Sequence, residues 1–242
     1  MVAVLVENLC KSFGVFEVLH NVSFTIEEGE IFGLIGPNGA GKTTTLRILA
    51  TLLLPTKGRV EIFGLNVIKN PDRVRRIISY LAEDSGAYRN LSGREYLKFL
   101  AKIFYDNREE AQKAIDEAIA ISGLENRIDD KVKTYSKGMK RRLQVARVFM
   151  IKPKLAILDE PTTGLDVIHS QEIRKAIRAY SKERGVTVIL SSHNMFEVEF
   201  LCDRIALIDR GRILEMGAPH EIKKKYNALN LEEAFVKVVQ GG

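Results

Sequence analysis

The sequence predicts an α/β fold that begins with a small antiparallel β layer and carries an inserted all-helical subdomain. Three observations support this prediction. An apolar run at residues 31–35 leads through a glycine-rich loop into a helical pattern, as in a strand–loop–helix unit. Two later apolar runs, at residues 155–158 and 186–191, have the composition of fully buried parallel strands. Ahead of these two runs, residues 92–150 follow a helical pattern throughout.

The elements before the helical region are predicted from alternation and from turn residues. Apolar side chains alternate over residues 2–9 and 22–26, which predicts two strands of the antiparallel layer. A Pro-Thr-Lys-Gly turn at residues 55–58 ends the helical pattern that follows the glycine-rich loop. Three short elements come next, a strand, a basic helix and a second strand, at residues 59–63, 72–76 and 77–81.

Capping residues predict where the helices after residue 91 begin and end. Ser92 and Glu95 have the spacing of a capping box, which predicts a helix to about residue 105. A second helix is predicted from about residue 108 and stops at Gly123, and Ser136 stands at the N-cap position before a basic helix. The later elements are a long helix, an edge hairpin and two terminal helices, at residues 167–184, 204–215, 219–226 and 231–239.

These elements define a single domain with three parts. We predict an α/β core formed by residues 1–82 and 151–222 and a helical subdomain formed by residues 83–150. Residues 223–242 are predicted as a C-terminal helical tail.

Composition bounds the possible functions. Hydrophobic residues make up 45% of the chain, which is enough for a sizeable core. The net charge is +6, but basic and acidic residues are interleaved, so no nucleic-acid partner is expected. A membrane span needs about 20 apolar residues, and the apolar runs here are far shorter. With no secretory signal and with Cys10 and Cys202 expected to be reduced and buried, a cytoplasmic location is predicted.

The glycine-rich loop at residues 36–43 has the form GxxxxGK[ST], with a strand before it and a helix after it. This context is typical of a P-loop, in which backbone N–H groups and a helix N-terminus surround phosphate oxygens. Lys42 is placed to reach the β- and γ-phosphates, and the Thr43 hydroxyl to coordinate Mg²⁺. The sequence thus predicts a P-loop NTPase core that binds a nucleoside triphosphate with Mg²⁺. The predicted nucleotide-binding residues of the loop are Gly36, Pro37, Asn38, Gly39, Ala40, Gly41, Lys42, Thr43 and Thr44.

Polar side chains follow the two buried strands. Asp159 and Glu160 come directly after one strand, and His193 follows the other. Because open α/β sheets bind ligands at the carboxyl ends of their strands, we expect all three near the phosphates. Asp159 is predicted to hold Mg²⁺, Glu160 to orient or deprotonate the attacking water, and His193 to contact the γ-phosphate or that water. Phe13 has two interpretations, an aromatic that stacks on adenine or an ordinary core residue.

With these residues placed, nearly the whole chain resembles the ATP-binding cassette (ABC) ATPases, especially the ATPase subunits of multidrug or antibiotic-resistance exporters. Residues 155–160 resemble the family's second nucleotide motif, and residues 164–166, which end at Asp166, resemble its D-loop. The resemblance implies that the nucleotide is ATP, that Phe13 stacks on its adenine and that His193 is the family's switch histidine.

Two segments depart from the family pattern. Residues 135–139 take the place of the signature LSGGQ and keep Ser136 and Gly138, but Lys137 replaces a glycine. Glu83 replaces the glutamine of the Q-loop. A glutamate there can still accept hydrogen bonds from a metal-bound water, so Glu83 is included among the predicted metal residues beside Thr43.

The resemblance also implies partners. In the family two cassettes pack head to tail, so Ser136, Lys137 and Gly138 would act in trans on ATP held by a second copy or a paralogous ATPase. The resemblance further implies a separate transmembrane permease subunit. The expected location is therefore cytoplasmic, peripheral on the inner face of the cell membrane.

Two alternatives remain open at this point. A cassette ATPase of DNA repair or translation would use the same chemistry away from the membrane, although such proteins usually carry coiled-coil insertions or two cassettes. A P-loop kinase of small molecules would use Glu160 to activate a substrate hydroxyl, and the signature segment and the D-loop argue against it.

Overall fold

The glycine-rich loop begins at the end of a central strand of a six-stranded sheet. The computed structural model describes residues 1–240. In chain order its strands are β1 (Val2–Phe13), β2 (Phe16–Glu27), β3 (Ile31–Ile35), β4 (Lys57–Ile62), β5 (Leu65–Asn66), β6 (Ile78–Leu81), β7 (Leu155–Asp159), β8 (Thr187–Ser192), β9 (Arg204–Asp209) and β10 (Arg212–Gly217). The large sheet has the order β10-β9-β3-β8-β7-β6, and all neighbours are parallel except the β9–β10 hairpin.

The predicted antiparallel layer is a second, four-stranded sheet with the order β2-β1-β4-β5. Its first two strands are longer than expected. The second strand begins at Phe16 instead of residue 22, because Phe13 pairs with Phe16 across a two-residue turn that contains Gly14 at φ +59°. The tip of this hairpin carries two exposed phenylalanines, Phe13 and Phe16.

The helices in residues 1–240 follow the predicted order, with one additional helix, at Met195–Leu201, that was not predicted. They are α1 (Lys42–Leu49), α2 (Pro71–Arg75), α3 (Gly93–Phe104), α4 (Arg108–Ser122), α5 (Lys137–Met150), α6 (Val167–Arg184), α7 (Met195–Leu201), α8 (Pro219–Lys225) and α9 (Leu231–Gln240), with short 3-10 turns at Glu125–Asp129 and Val132–Thr134. The capping box at the start of α3 is present as predicted. Ser136 is the N-cap of α5 as predicted: its side chain accepts a hydrogen bond from the Met139 N–H, and the helix starts at Lys137.

Two apolar layers enclose the large sheet. Phe32 and Leu34 of β3 pack toward the antiparallel sheet, where Phe32 stacks on Phe24 with ring centroids 5.3 Å apart. Ile31 and Ile35 point to the opposite face and pack against helices that include α6 and α7. Because both faces of β3 are buried, the loop that follows it leaves the sheet from a fixed position.

The helical subdomain has an apolar cluster of its own. Leu97 of α3, Ala118 of α4 and Leu143 of α5 are all fully buried in it. At the other end of the chain, Leu231 and Ala234 of α9 belong to the cluster beneath the large sheet. Within residues 1–240, no helix has the length and apolarity needed to cross a membrane.

Candidate active site

The predicted site residues meet because four parallel strands end at one edge of the large sheet. In the ladders, Asp159 of β7 pairs with Ser191 of β8, and Ile35 of β3 pairs with Ser192. The residues that follow these strands therefore emerge side by side. This edge is where open α/β sheets bind their ligands.

The P-loop has little room for side chains at two of its glycines. A Cβ added at Gly36 would lie 2.0 Å from the backbone oxygen of Ile208, and Gly41 adopts φ +105°. The Lys42 ammonium lies under the loop, where it donates hydrogen bonds to the backbone oxygens of Gly36, at 2.7 Å, and Pro37, at 3.1 Å. These contacts hold the loop in a curled shape with the N-terminus of α1 at its end.

The loop borders a cavity of about 460 Å³. The residues that line it are Phe16, Val18, Asn38, Gly39, Ala40, Gly41, Lys42, Thr43, Thr44, Glu83 and Glu160. The cavity thus gathers the P-loop residues from position 38 onward with two of the predicted acidic residues. Phe13 is not in this lining, and Phe16 is. Phe13 is half exposed at the hairpin tip, with the Lys11 ammonium 4.7 Å from the centre of its ring.

Asp159 is 1% exposed and is surrounded by hydroxyl groups. Its Oδ1 accepts hydrogen bonds from Thr43 Oγ1 at 3.1 Å and from Ser191 Oγ at 2.6 Å, and its Oδ2 accepts one from the Tyr80 hydroxyl at 3.4 Å. Burial, and then the nearby charge of Asp159, raise the pKa of Tyr80 to about 12. Tyr80 therefore stays a neutral donor at ordinary pH.

This donor set fits Mg²⁺. Thr43 and Asp159 supply the oxygen atoms that the ion prefers; they are hydrogen-bonded to each other, and Thr43 lines the cavity. In the part of the chain that the structure describes, no three His, Cys, Asp or Glu side chains form a metal cluster. Mg²⁺ bound through one or two protein oxygens and the phosphates needs no such cluster. Glu83 is exposed, and its carboxylate makes no hydrogen bond or ion pair with residues 1–240.

Glu160 is held much more firmly. It is 5% exposed and has φ +50°, a left-handed conformation that non-glycine residues rarely adopt. Its Oε2 accepts a hydrogen bond from Thr163 Oγ1 at 3.0 Å and lies 2.8 Å from His193 Nδ1. Its Oε1 is 3.6 Å from the Lys42 ammonium. The structure thus brings three predicted site residues, Lys42, Glu160 and His193, into one connected group.

The signature segment lies elsewhere, on the helical subdomain. Ser136 and Lys137 are exposed, and neither they nor Gly138 line the P-loop cavity. The Lys137 side chain crosses Gly164, where an added Cβ would lie 2.4 Å from the ammonium nitrogen. In the same loop, the Asp166 carboxylate caps α6 by accepting from the His169 N–H at 2.9 Å, and this hydrogen bond lowers the pKa of Asp166.

Sequence reasoning missed three residues that contact Asp159 or its backbone. Tyr80 and Ser191 contact the Asp159 carboxylate, and Arg141 contacts the backbone beside it. Ser191 carried a signal, because it ends a predicted strand next to the one that ends at Asp159. Finding it required the register of those two strands, which the apolar pattern alone does not give.

A P-loop beside a buried aspartate, a buried glutamate and a histidine at adjacent strand ends defines a P-loop nucleotide hydrolase. The family model described as ABC transporter matches residues 19–163, and the chain belongs to the ABC transporter family. The fold class and the family resemblance are therefore confirmed. The protein is an ABC transporter ATPase that hydrolyses ATP, and the kinase alternative is not retained.

Relatives and solved structures agree with this membership. The chain is 41% identical over 225 residues to the bacitracin transport ATP-binding protein BcrA of Bacillus licheniformis, covering 93% of this chain and 72% of that protein. It is 37% identical over 221 residues to the daunorubicin/doxorubicin resistance ATP-binding protein DrrA of Streptomyces peucetius, covering 91% and 67%. A solved ATP-binding subunit of an ABC transporter superimposes with TM-score 0.88 at 28% identity, covering 98% of this chain and 99% of that one. A dimeric ATP-binding cassette in a post-hydrolysis state, bound to ADP and Pi, has TM-score 0.80 at 27% identity, covering 89% and 98%.

Proposed function

We propose that this chain is the ATPase subunit of an exporter and that Glu160 is the general base that takes a proton from the attacking water. The observation that carries the catalytic proposal is the burial of Glu160 among Lys42, Thr163 and His193. These contacts aim a carboxylate at the P-loop cavity and hold it there. The names of relatives support export, since BcrA, DrrA and the linearmycin resistance protein LnrL are all named for antibiotic or drug transport or resistance.

The other side chains have separate roles in this proposal. The loop of residues 36–44 binds the phosphates through the backbone N–H groups that all of its residues except Pro37 carry, and Lys42 turns its charge from the loop carbonyls to the β- and γ-oxygens. Thr43 and Asp159 hold Mg²⁺, which when bound offsets the negative charge of the phosphates. His193 orients the Glu160 carboxylate and reaches toward the γ-phosphate. Phe13, which pairs with the cavity-lining Phe16 in the β1–β2 hairpin, stacks on the adenine. Glu83 accepts a hydrogen bond from a metal-bound water, and its contribution is small because its side chain is exposed.

We infer that the working unit is a head-to-tail dimer with a second copy or a paralogous ATPase. Ser136, Lys137 and Gly138 would then meet the ATP that the other cassette holds, with Asp166 at the contact between the two. All three residues lie at the N-terminus of α5, away from the cavity of their own chain, and the exposure of Ser136 and Lys137 there supports this role. ATP binding would close the dimer, and hydrolysis with product release would open it.

We also infer a separate transmembrane permease subunit, which places the ATPase at the cytoplasmic face of the membrane. One similar solved structure, from Clostridium perfringens, is described as part of an ABC transporter complex. An apolar surface supports such docking. Tyr88 is 58% exposed and packs edge-on against Phe99, with Ile103 63% exposed on the same helix as Phe99. The alternative of a cassette in DNA repair or translation has no comparable support, and no nucleic-acid partner is proposed.

The catalytic proposal is tested with Glu160→Gln. This change keeps the size of the side chain but removes the base, so turnover should fall by about 10²-fold or more while Mg-ATP binding is nearly unchanged. Phosphate release and fluorescent ATP-analogue binding measure the two quantities. Glu109→Gln, at an exposed glutamate of α4, is the matched control. Turnover of Glu160→Gln within a few-fold of the parent would remove Glu160 from the catalytic role.

The membrane proposal is tested with Tyr88→Glu in cells that also express the permease. A charge in the apolar surface should abolish co-purification of the tagged ATPase with the membrane subunit. Basal hydrolysis by the isolated chain should not change, because Tyr88 does not line the nucleotide cavity. Normal assembly of the variant would contradict docking at this surface.

A further inference from the structure

Arg141 lies in the second turn of α5, on the helical subdomain, and is 7% exposed. Every hydrogen bond of its guanidinium goes to a backbone carbonyl. The acceptors, at distances of 2.6–3.1 Å, are the carbonyl oxygens of Ala82, Glu83, Asp159, Glu160 and Pro161. A buried guanidinium that stays charged needs such partners, and five carbonyl dipoles meet that need here.

The five carbonyls belong to the last residue of β7, Asp159, and to two loops of the active site. One loop follows β6 and contains Glu83, and the other follows β7 and contains Glu160. Both loops emerge at the carboxyl edge of the large sheet. A single side chain from the inserted subdomain therefore fastens the backbone on both sides of the proposed catalytic glutamate.

The Glu160 backbone has a particular need for such support. Its φ of +50° is a strained conformation that persists only when surrounding contacts hold it. Arg141 binds the carbonyl of Glu160 and also the carbonyls of the residues before and after it. Loss of the guanidinium would leave three consecutive carbonyls without these donors, and the backbone could relax away from φ +50°.

We propose that Arg141 is a positioning residue that holds Glu160 in its catalytic conformation from the helical subdomain. This inference rests on the proposed role of Glu160 as the base. Arg141 acts through the backbone and does not line the nucleotide cavity, so its loss should lower kcat and leave KM and nucleotide affinity close to normal. A shift of α5 would move the Glu160 loop and the Glu83 loop together.

Arg147 offers a matched control on the same helix. Its guanidinium donates to the Tyr80 carbonyl at 2.7 Å and to Gln144 Oε1 at 3.1 Å, and it makes no hydrogen bond with residues 159–161. Replacing either arginine removes a packed guanidinium from α5. Only Arg141 should change the chemistry.

The experiment measures kcat, KM and ATP-analogue affinity for Arg141→Ala, Arg141→Lys and Arg147→Lys in the full chain. We expect Arg141→Ala to lower kcat by about 10²-fold, as misplacement of a catalytic group does, and Arg141→Lys by about 10-fold. Arg147→Lys should keep kcat. In a Glu160→Gln background, single-turnover rates should show no further loss on adding Arg141→Ala, because the group that it positions is already inactive.

The results separate the two proposals. If Arg141→Ala does not fold, Arg141→Lys decides, with its fold checked by circular dichroism. Full turnover of the folded Arg141 variants beside an inactive Glu160→Gln overturns the positioning role alone. An equal additional loss in the Glu160→Gln background overturns it as well, since the effect would then not pass through Glu160. Near-normal turnover of Glu160→Gln itself overturns the proposed base and this positioning role together.

Discussion

Glu160 and Glu83 follow adjacent parallel strands at the same edge of the sheet, and both line the cavity around the P-loop. Their surroundings differ. Glu160 is buried, with Lys42, Thr163 and His193 against its carboxylate, whereas the Glu83 side chain is exposed. A place at a strand end brings a carboxylate into the site, but the groups around it determine whether its orientation is fixed.

The position of each strand explains the difference. Glu160 follows β7, which lies between two neighbours in the sheet, and β6, which precedes Glu83, is the edge strand. A carboxylate that is removed from water requires hydrogen bonds or opposite charges. A buried glutamate at position 160 therefore needs neighbouring donors or cations to stabilise its charge. Glu83 remains hydrated and has no such requirement.

Removing a partner of Glu160 should make it behave more like Glu83. In His193→Ala the Oε2 atom loses its imidazole neighbour at 2.8 Å and keeps only Thr163, so the carboxylate can rotate. We expect kcat to fall by about 10²-fold, the scale of losing an acid–base partner. Steady-state phosphate release measures this, with His220→Ala on α8 as the control. Turnover of His193→Ala equal to that of the control would show that Glu160 is oriented without the histidine.

This comparison also separates what the sequence could predict from what it could not. The sequence could predict that the P-loop, Asp159, Glu160 and His193 lie at one edge of the sheet, because each comes at the end of a strand whose apolar pattern is clear. Their roles as nucleotide-binding, metal-binding and catalytic residues stay predictions. The exposure of Glu83 was not predicted. It depends on β6 being an edge strand, and the local hydrophobic pattern does not determine the order of strands in a sheet.

Three further residues of the site could not be predicted from the sequence. Ser191 required strand register, Arg141 required the packing of an inserted helix against two loops, and Phe16 required the length of the first hairpin. Each depends on contacts between segments far apart in the chain. Periodicity and capping describe neighbours along the sequence, and they carry no information on such contacts.

A smaller effect is expected from Ser191→Ala. The hydroxyl donates to Asp159 Oδ1 and accepts from the Glu160 N–H, so its loss leaves the buried Glu160 N–H without this acceptor and leaves Asp159 Oδ1 with Thr43 as its remaining donor. We expect a stability loss of about 1–3 kcal/mol and a fall in kcat of about 10-fold, measured by denaturant unfolding and phosphate release. Ser181→Ala removes a buried hydroxyl of α6 that donates to the Val186 carbonyl, and it should destabilise the fold without lowering kcat. Equal kcat losses in both variants would contradict a specific role for Ser191.

The smallest effect is expected at Glu83 itself. Glu83→Gln removes an exposed charge and restores the residue type of the family's Q-loop. Exposed charges contribute little because water and salt screen them, so kcat and the Mg²⁺ concentration for half-maximal activity should each change by less than about fivefold. On this expectation, substitution of the buried Glu160 lowers kcat far more than substitution of the exposed Glu83. A Mg²⁺ titration of hydrolysis at low and high salt makes the measurement, and Asp84→Asn, at the neighbouring exposed acid, is the control. A tenfold or larger shift in the Mg²⁺ requirement of Glu83→Gln alone would show that Glu83 binds the metal directly in the ATP-bound protein, and that its exposure without ATP does not indicate its role.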